Sequence, residues 1–414
     1  MLLVWDLHIN AKYHEKILTQ LKSIFSAYPD EKNIIFFWDY VYHFAYDRNA
    51  LLQLYNLFLD LFQQGKQVYI MAGNHDRLGS SFVFEEAQKA FDVLLHDKFK
   101  DIMSGAGKIH FITKPILETI EWEQILFLPF FLENETTSDY TPKNAQLKSI
   151  SEFAGLLTKS AHKHEVFSWQ INQYLAEQVD KNPGITIFHH YYINGTAFPG
   201  QKSKFNYKDI ALHEGFLALP DIRLISGHLH QPFAHTNYLC LGSTRSTSPL
   251  ETNQNKYIFR YDTANKQMTT LQMSVNPQIL IQSDEVITEE LLLNEIKKIN
   301  ETNKTYFKSS LREIKFQEDQ KINLENIALT IKVEHIDYDK IDEIIDTQLR
   351  KTCKDIRLKK NTENLDDLLS TFKVSSEQLS WFSDWKNVLQ TYMQKKFGND
   401  YPKYEKVLKE LKLL

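Results

Sequence analysis

The stretch Met71-Ala72-Gly73-Asn74-His75-Asp76 constrains this chain more than any other. An apolar run, Val68 to Met71, reads as a short strand that stops near a glycine and is followed by an amide, an imidazole and a carboxylate. Gly73 lets the backbone turn without a Cβ penalty, so three polar side chains are presented at the carboxyl end of the strand, where ligands bind in open α/β sheets. Alone, such a motif is a polar turn. Its weight comes from similar stretches elsewhere in the chain.

Apolar runs alternate with amphipathic stretches through the first half, which predicts an α/β sheet covered by helices. Leu2 to Val4 leads to Asp6-Leu7-His8, Asn33 to Phe37 to Asp39, Ile185 to Phe188 to His189, and Ile222 to Ile225 to Gly227-His228-Leu229-His230. Gln124 to Leu128 ends instead at Pro129. Lys12 to Ala27 and Asp47 to Leu61 carry the apolar spacing of helices. Taken singly, Asp6 and His8 are a turn carboxylate and a satisfied histidine, and His228 and His230 a hairpin. Asp39 is harder to explain in that way. It lies in Phe36-Phe37-Trp38-Asp39-Tyr40, where an unpaired buried carboxylate would be costly, so it needs a cation.

A shared metal centre accounts for the recurrence. Carboxylate, amide and imidazole donors without thiolate suit Mn²⁺, Fe²⁺ or Zn²⁺ and disfavour a structural zinc. The seven candidates Asp6, His8, Asp39, Asn74, His189, His228 and His230 would overfill one ion but fit two that share a carboxylate. Cys240 and Cys353 stand far apart, without a CxxC, so neither a disulfide framework nor a cysteine zinc site is supported. A net charge of −5 with 24% charged and 43% hydrophobic residues is ordinary for a globular protein, so any phosphate binding must be local. No stretch resembles a signal peptide or a membrane span, and a cytoplasmic location is expected.

The succession Asp6-x-His8, Asp39, Gly73-Asn74-His75-Asp76, His189, Gly227-His228-x-His230 resembles the calcineurin-like metallophosphoesterase superfamily over residues 1 to about 270. The resemblance implies a two-sheet sandwich flanked by helices and two divalent ions, with Mn²⁺ favoured. It assigns Asp6, His8 and His230 to one ion, Asn74, His189 and His228 to the other, and Asp39 to both. His75 would stand beside the scissile phosphate as the catalytic imidazole, oriented by Asp76.

Two later features resemble the SbcD-type DNA-repair exonucleases. Leu241-Gly242-Ser243-Thr244, followed by Ser246 to Glu251, is similar to the turn those enzymes carry after the last ligand pair. Leu329 to Val333, an amphipathic Asp339 to Lys351 and Asp355 to Leu358 look like the strand-helix-strand unit of their capping domain. The expected organisation is a metallophosphoesterase domain over 1–275, a smaller α+β capping domain over 276–362 and a helical tail over 363–414. Arg350, Lys351, Lys354, Arg357, Lys359 and Lys360 could contact a nucleic-acid backbone or form a solvated surface. In the tail, Leu379, Phe382, Trp385, Val388, Leu389 and Tyr392 fall at helical spacing. The resemblance implies that this stripe, with Trp385 as anchor, docks on the coiled-coil base of an SbcC-type ATPase. DNA is the expected substrate, and a homodimer is open. The alternatives are a phosphoesterase acting on a small nucleotide or phospholipid-type substrate, and a catalytically impaired DNA-binding scaffold.

Three positions depart from the family pattern. A small residue, often glycine, normally precedes each of the first two aspartates, where this chain has Trp5 and Trp38. The rings could fill space beneath the site or crowd the ions. A third account joins them to the low glycine count of 13: some bacteria read UGA as glycine, and translation with a tryptophan-reading table would place Trp at those codons. His43 follows Asp39 at a spacing one residue longer than in the nuclease relatives and is not assigned a role.

Overall fold

Alternation within the apolar strands sets the layers, because successive side chains of a strand face opposite ways. In the computed structural model the described residues are 1–37, 39–41, 48–78, 81–84, 88–89, 107–130, 143–155, 163–196, 210–247, 251–308, 314–317, 324–333, 344–360 and 402. Leu2 and Val4 of the strand Leu2–Trp5 join a core with Ile17 and Leu21 of the helix His14–Ala27 and Leu54 and Phe58 of the helix Arg48–Gln63. Leu3 and Trp5 face a second core, and the strand Asn33–Phe37 divides in the same manner. Apolar residues at every position are what a sheet covered on both faces requires.

The first sheet has the order Ile314–Phe316, Gln267–Met273, Lys256–Asp262, Leu2–Trp5, Asn33–Phe37, Gln67–Met71, Lys108–Ile112. Its last four strands run parallel, and Lys256–Asp262 joins Leu2–Trp5 antiparallel. The second sheet has the order Phe233–His235, Tyr238–Cys240, Arg223–Ser226, Thr186–His189, Glu123–Leu128, Ile116–Ile120. The two meet in the shared core, where Ile125, Phe127, Phe188 and Ile225 pack with Leu3, Trp5, Phe37 and Met71. On the far face, Leu126, Ile187 and Leu224 pack with Leu147 of the helix Ala145–Gly155 and with Ile171 and Leu175 of the helix Lys163–Lys181. The fold is thus the α/β sandwich of two sheets with flanking helices.

Several local features differ from expectation or qualify it. The first helix begins at His14 instead of Lys12, because Asn10 Oδ1 accepts the backbone N–H of Lys12 and of Tyr13, each at 3.1 Å, and holds a turn there. Trp5 is fully buried with its ring 5.0 Å from that of Phe259, so it fills the core between the sheets, although its indole Nε1 finds no hydrogen-bond partner among the described residues. Trp38 and His43 lie outside the described residues. Ile116–Ile120 and Glu123–Leu128 form a hairpin in which Ile120 pairs with Glu123, leaving Glu121 and Trp122 as a two-residue loop with φ of 50° and 73°. Trp122 is 98% exposed.

The chain divides into two compact units, residues 1–280, 287–330 and 346–356 in one and 281–286, 331–345 and 357–414 in the other. Strands form at Ala328–Val333 and Asp355–Lys360, where the sequence places them. The helix expected over Asp339 to Lys351 starts only at Thr347 within the described residues. Asp346 caps it, accepting Gln348 N–H at 2.7 Å and Leu349 N–H at 3.3 Å, and residues 334–343 lie outside them. The tail stripe around Trp385 lies outside the described residues as well. Among those residues no helix is long and apolar enough to cross a membrane.

Candidate metal centre

Parallel strands bring their carboxyl ends to the same edge, and here that edge gathers the polar residues. Beyond Trp5 the pairing continues through loops: Asp6 N–H donates to Phe37 O at 3.1 Å, His8 N–H to Asp39 O at 2.8 Å and Ile9 N–H to Tyr40 O at 2.8 Å. Asp6, His8 and Asp39 hold these bonds with φ of 38°, 42° and 48°, and His228 has φ 71°. Left-handed backbone costs a residue with a Cβ roughly 1–3 kcal/mol, and it persists where surrounding structure enforces it, often at functional sites.

Two groups of donors result. Asp6, His8 and His230 form one, and Asp39, His190 and His228 the other, each with its ligand atoms within 4.8 Å of one another. His8 Nε2 and His230 Nε2 are 3.1 Å apart. In the second group, His190 Nε2 lies 2.6 Å from Asn74 Oδ1 and 3.2 Å from Asp39 Oδ2. Asp39 Oδ2 is also 4.0 Å from His8 Nε2, so this carboxylate stands between the groups. Gly227 is required beside Asp6 for steric reasons: a Cβ there would come within 2.6 Å of Asp6 Oδ1, and His228 N–H donates to Asp6 Oδ2 at 2.8 Å.

The electrostatics ask for cations. Burial raises the Asp6 carboxyl well above the carboxylate range, Asp39 raises it further, and the His228 N–H opposes the shift. Its Oδ1 is buried without a hydrogen-bond partner among the described residues. Burial would raise Asp39 too, but the imidazoles around it, His190 foremost, hold it well below the usual range. Burial lowers His8 and His228 well below the ordinary histidine value, which keeps them neutral, the form that ligates a metal. An orphaned carboxylate oxygen, neutral imidazoles and an amide oxygen fit divalent ions.

One expected ligand changes. His190, not His189, is the ring brought to Asp39, Asn74 and His228. Alternation explains it: Ile187 faces the outer core, Phe188 the core between the sheets, and His189 again turns outward, stacking on Tyr238 with ring centres 6.0 Å apart. Its Nδ1 accepts Tyr191 N–H at 3.4 Å, and burial pushes its pKa down to about 3. A period-two count does not choose between the two from the sequence, because Asp6 and His8 share the parity of Leu2 and Val4, which face an outer core, whereas His190 shares that of Phe188, which faces the core between the sheets.

Asp76 also ties two loops together. Its Oδ1 accepts Tyr40 N–H at 2.9 Å and its Oδ2 accepts Gly73 N–H at 2.8 Å, so it fastens the loop after Asn33–Phe37 to the loop after Gln67–Met71. It positions the loops that carry Asp39 and Asn74. His75 donates its backbone N–H to Asp39 Oδ1 at 3.0 Å; its ring Nε2 is 4.0 Å from Asp39 Oδ2, and its side chain is 27% exposed.

The sequence profile described as calcineurin-like phosphoesterase matches residues 4–232, more than half of the chain. The chain belongs to the calcineurin-like phosphoesterases. No significant match occurs among curated proteins. As a calcineurin-like phosphoesterase it is a metal-dependent hydrolase of phosphate esters, and the two donor groups are its candidate sites for divalent ions.

Proposed function

We propose that this phosphoesterase is a two-metal phosphodiesterase acting on DNA, a Mn²⁺-dependent nuclease of the SbcD type. The observation that carries the two-metal reading is the place of Asp39, whose Oδ2 lies 3.2 Å from His190 Nε2 and 4.0 Å from His8 Nε2. Asp6, His8 and His230 would hold one ion, Asn74, His190 and His228 the other, and Asp39 both. When bound, such ions activate a water and offset charge on the phosphoryl oxygens. The left-handed turns and the bonds from Asp76 keep the donors preorganised, which limits reorganisation as charge develops. His75, partly exposed beside the donors, offers its imidazole to the leaving oxygen.

Support for DNA comes from the sequence resemblance after the last ligands and from Arg350, Lys351 and Lys354, which are exposed on and just after the helix Thr347–Thr352. Digestion of end-labelled single- and double-stranded DNA in Mn²⁺, beside a chromogenic phosphodiester, tests the reading. DNA cleavage is expected, and His75→Ala should lower turnover by roughly 10²–10⁴-fold while both ions remain bound. Hydrolysis of the small diester without attack on DNA would replace the nuclease reading with a small-molecule one. Undiminished turnover in the variant would remove His75 from the mechanism.

A further inference from the structure

The segment after the second sheet closes behind the donor group made by Asp6, His8 and His230. Glu251 Oε1 lies 2.9 Å from His230 Nδ1, and the hydroxyl of Thr247, 2.8 Å from the same nitrogen, donates to that carboxylate oxygen. Glu251 Oε2 takes Lys256 Nζ at 2.6 Å, and Lys256 also donates to His230 O at 2.8 Å and to Ser243 Oγ at 3.0 Å. Arg245 donates from its guanidinium to the carbonyl of His8. Each of these bonds ends on His8, on His230 or within the segment. Glu251, Lys256 and Arg245 are 5%, 3% and 2% exposed. Burying three charged side chains is expensive unless each is paired, and the bonds here converge on the His230 imidazole and on the backbone carbonyls of His230 and His8.

We propose that Glu251 is the positioning residue of the His8–His230 ion site, accepting a hydrogen bond from the Nδ1–H of His230 so that the Nε2 lone pair of that ring faces the ion. Lys256 balances the Glu251 charge and fixes its direction. A carboxylate on the remote nitrogen of a ligating histidine fixes ring orientation and raises ligand basicity, and its loss weakens metal binding by roughly 10–100-fold. Glu251 therefore sets the affinity of one of the two ions. This rests on the two-metal reading.

Glu251→Gln is the direct probe. An amide there must turn its NH₂ either to Lys256 Nζ or to His230 Nδ1, so one contact of the pair is lost in either orientation. Calorimetric titration of the full, chelator-stripped chain with Mn²⁺ should give two ions in the wild type. In the variant one ion should bind with unchanged affinity and the other roughly 10–100-fold more weakly. At matched Mn²⁺ the exchange-coupled pair signal in paramagnetic resonance should give way to that of a single ion, a change that a general loss of packing would not confine to one site. Thr247→Val, which removes only the hydroxyl at Nδ1, should weaken the same ion to a smaller degree and decides the matter if Glu251→Gln does not fold. Two ions of unchanged affinity in either folded variant overturn the proposal. A wild type that binds fewer than two ions overturns the two-metal reading instead, and this proposal with it.

Discussion

At the scale of single residues, the pair His189-His190 shows how sharply a strand discriminates between neighbours. Both are fully buried, yet His189 stacks on Tyr238 on the outer side while His190 reaches Asp39 and Asn74. Under the two-metal reading, His190→Ala should therefore remove one of two divalent ions and nearly all phosphoesterase activity. His189→Ala should leave metal stoichiometry intact and lower stability by roughly 1–3 kcal/mol, the usual cost of truncating a packed side chain. Metal analysis of the dialysed variants, paired with thermal unfolding, separates the two effects. The opposite pattern would return the ligand role to His189.

At the scale of elements, the hairpin between Ile116–Ile120 and Glu123–Leu128 carries an unusual residue. A two-residue loop with positive φ at both positions is a type I′ turn, for which Asn-Gly or Asp-Gly is preferred. Here the second position is Trp122, at φ 73° and 98% exposed, so no packing among the described residues offsets the steric cost of a left-handed side chain, about 1–2 kcal/mol. Trp122→Gly should stabilise the protein by about 1 kcal/mol, seen as a raised denaturant midpoint at unchanged slope. A neutral or destabilising result would mean that the ring has a contact that the turn geometry does not reveal. The same turn bears on the reading of UGA as glycine. Trp122 is a position where glycine would relieve a steric cost, while at Trp5 glycine would remove only an orphaned indole N–H and would leave the space that the ring fills between the sheets. Tryptophan at both positions, in the protein made by its own cells, would end that account.

At the scale of the whole molecule, the donors of both ion sites come from Asp6 to His230, all within the unit that holds residues 1–280. Its strands and helices bury three contiguous cores. Ending the chain after Asn364 should therefore leave metal stoichiometry and basal phosphoesterase activity intact. Under the proposed SbcD-type role it should abolish association with an SbcC-type ATPase, because the apolar stripe from Leu379 to Tyr392 would be gone. Sedimentation of the truncated chain with that ATPase, alongside metal analysis, tests both parts. Normal association would place the docking surface elsewhere, and loss of metal would mean that the tail supports the fold.

What the sequence determined was local. Apolar runs long enough for strands, polar residues at their ends and the absence of thiolate donors already implied an α/β fold with a metal edge, because strand period and ligand chemistry act over a few residues. Asp6, His8, Asp39, Asn74, His228 and His230 could be named for that reason. The tertiary structure decided which groups meet. His190 replaced His189 because sheet facing is settled by both cores together. Asp76 serves two loops because Tyr40 lies against it, 36 residues away in the chain. Glu251, 21 residues after His230, meets its imidazole through one carboxylate oxygen while Lys256 holds the other. Such contacts depend on the packing of distant segments, which no short-range pattern encodes.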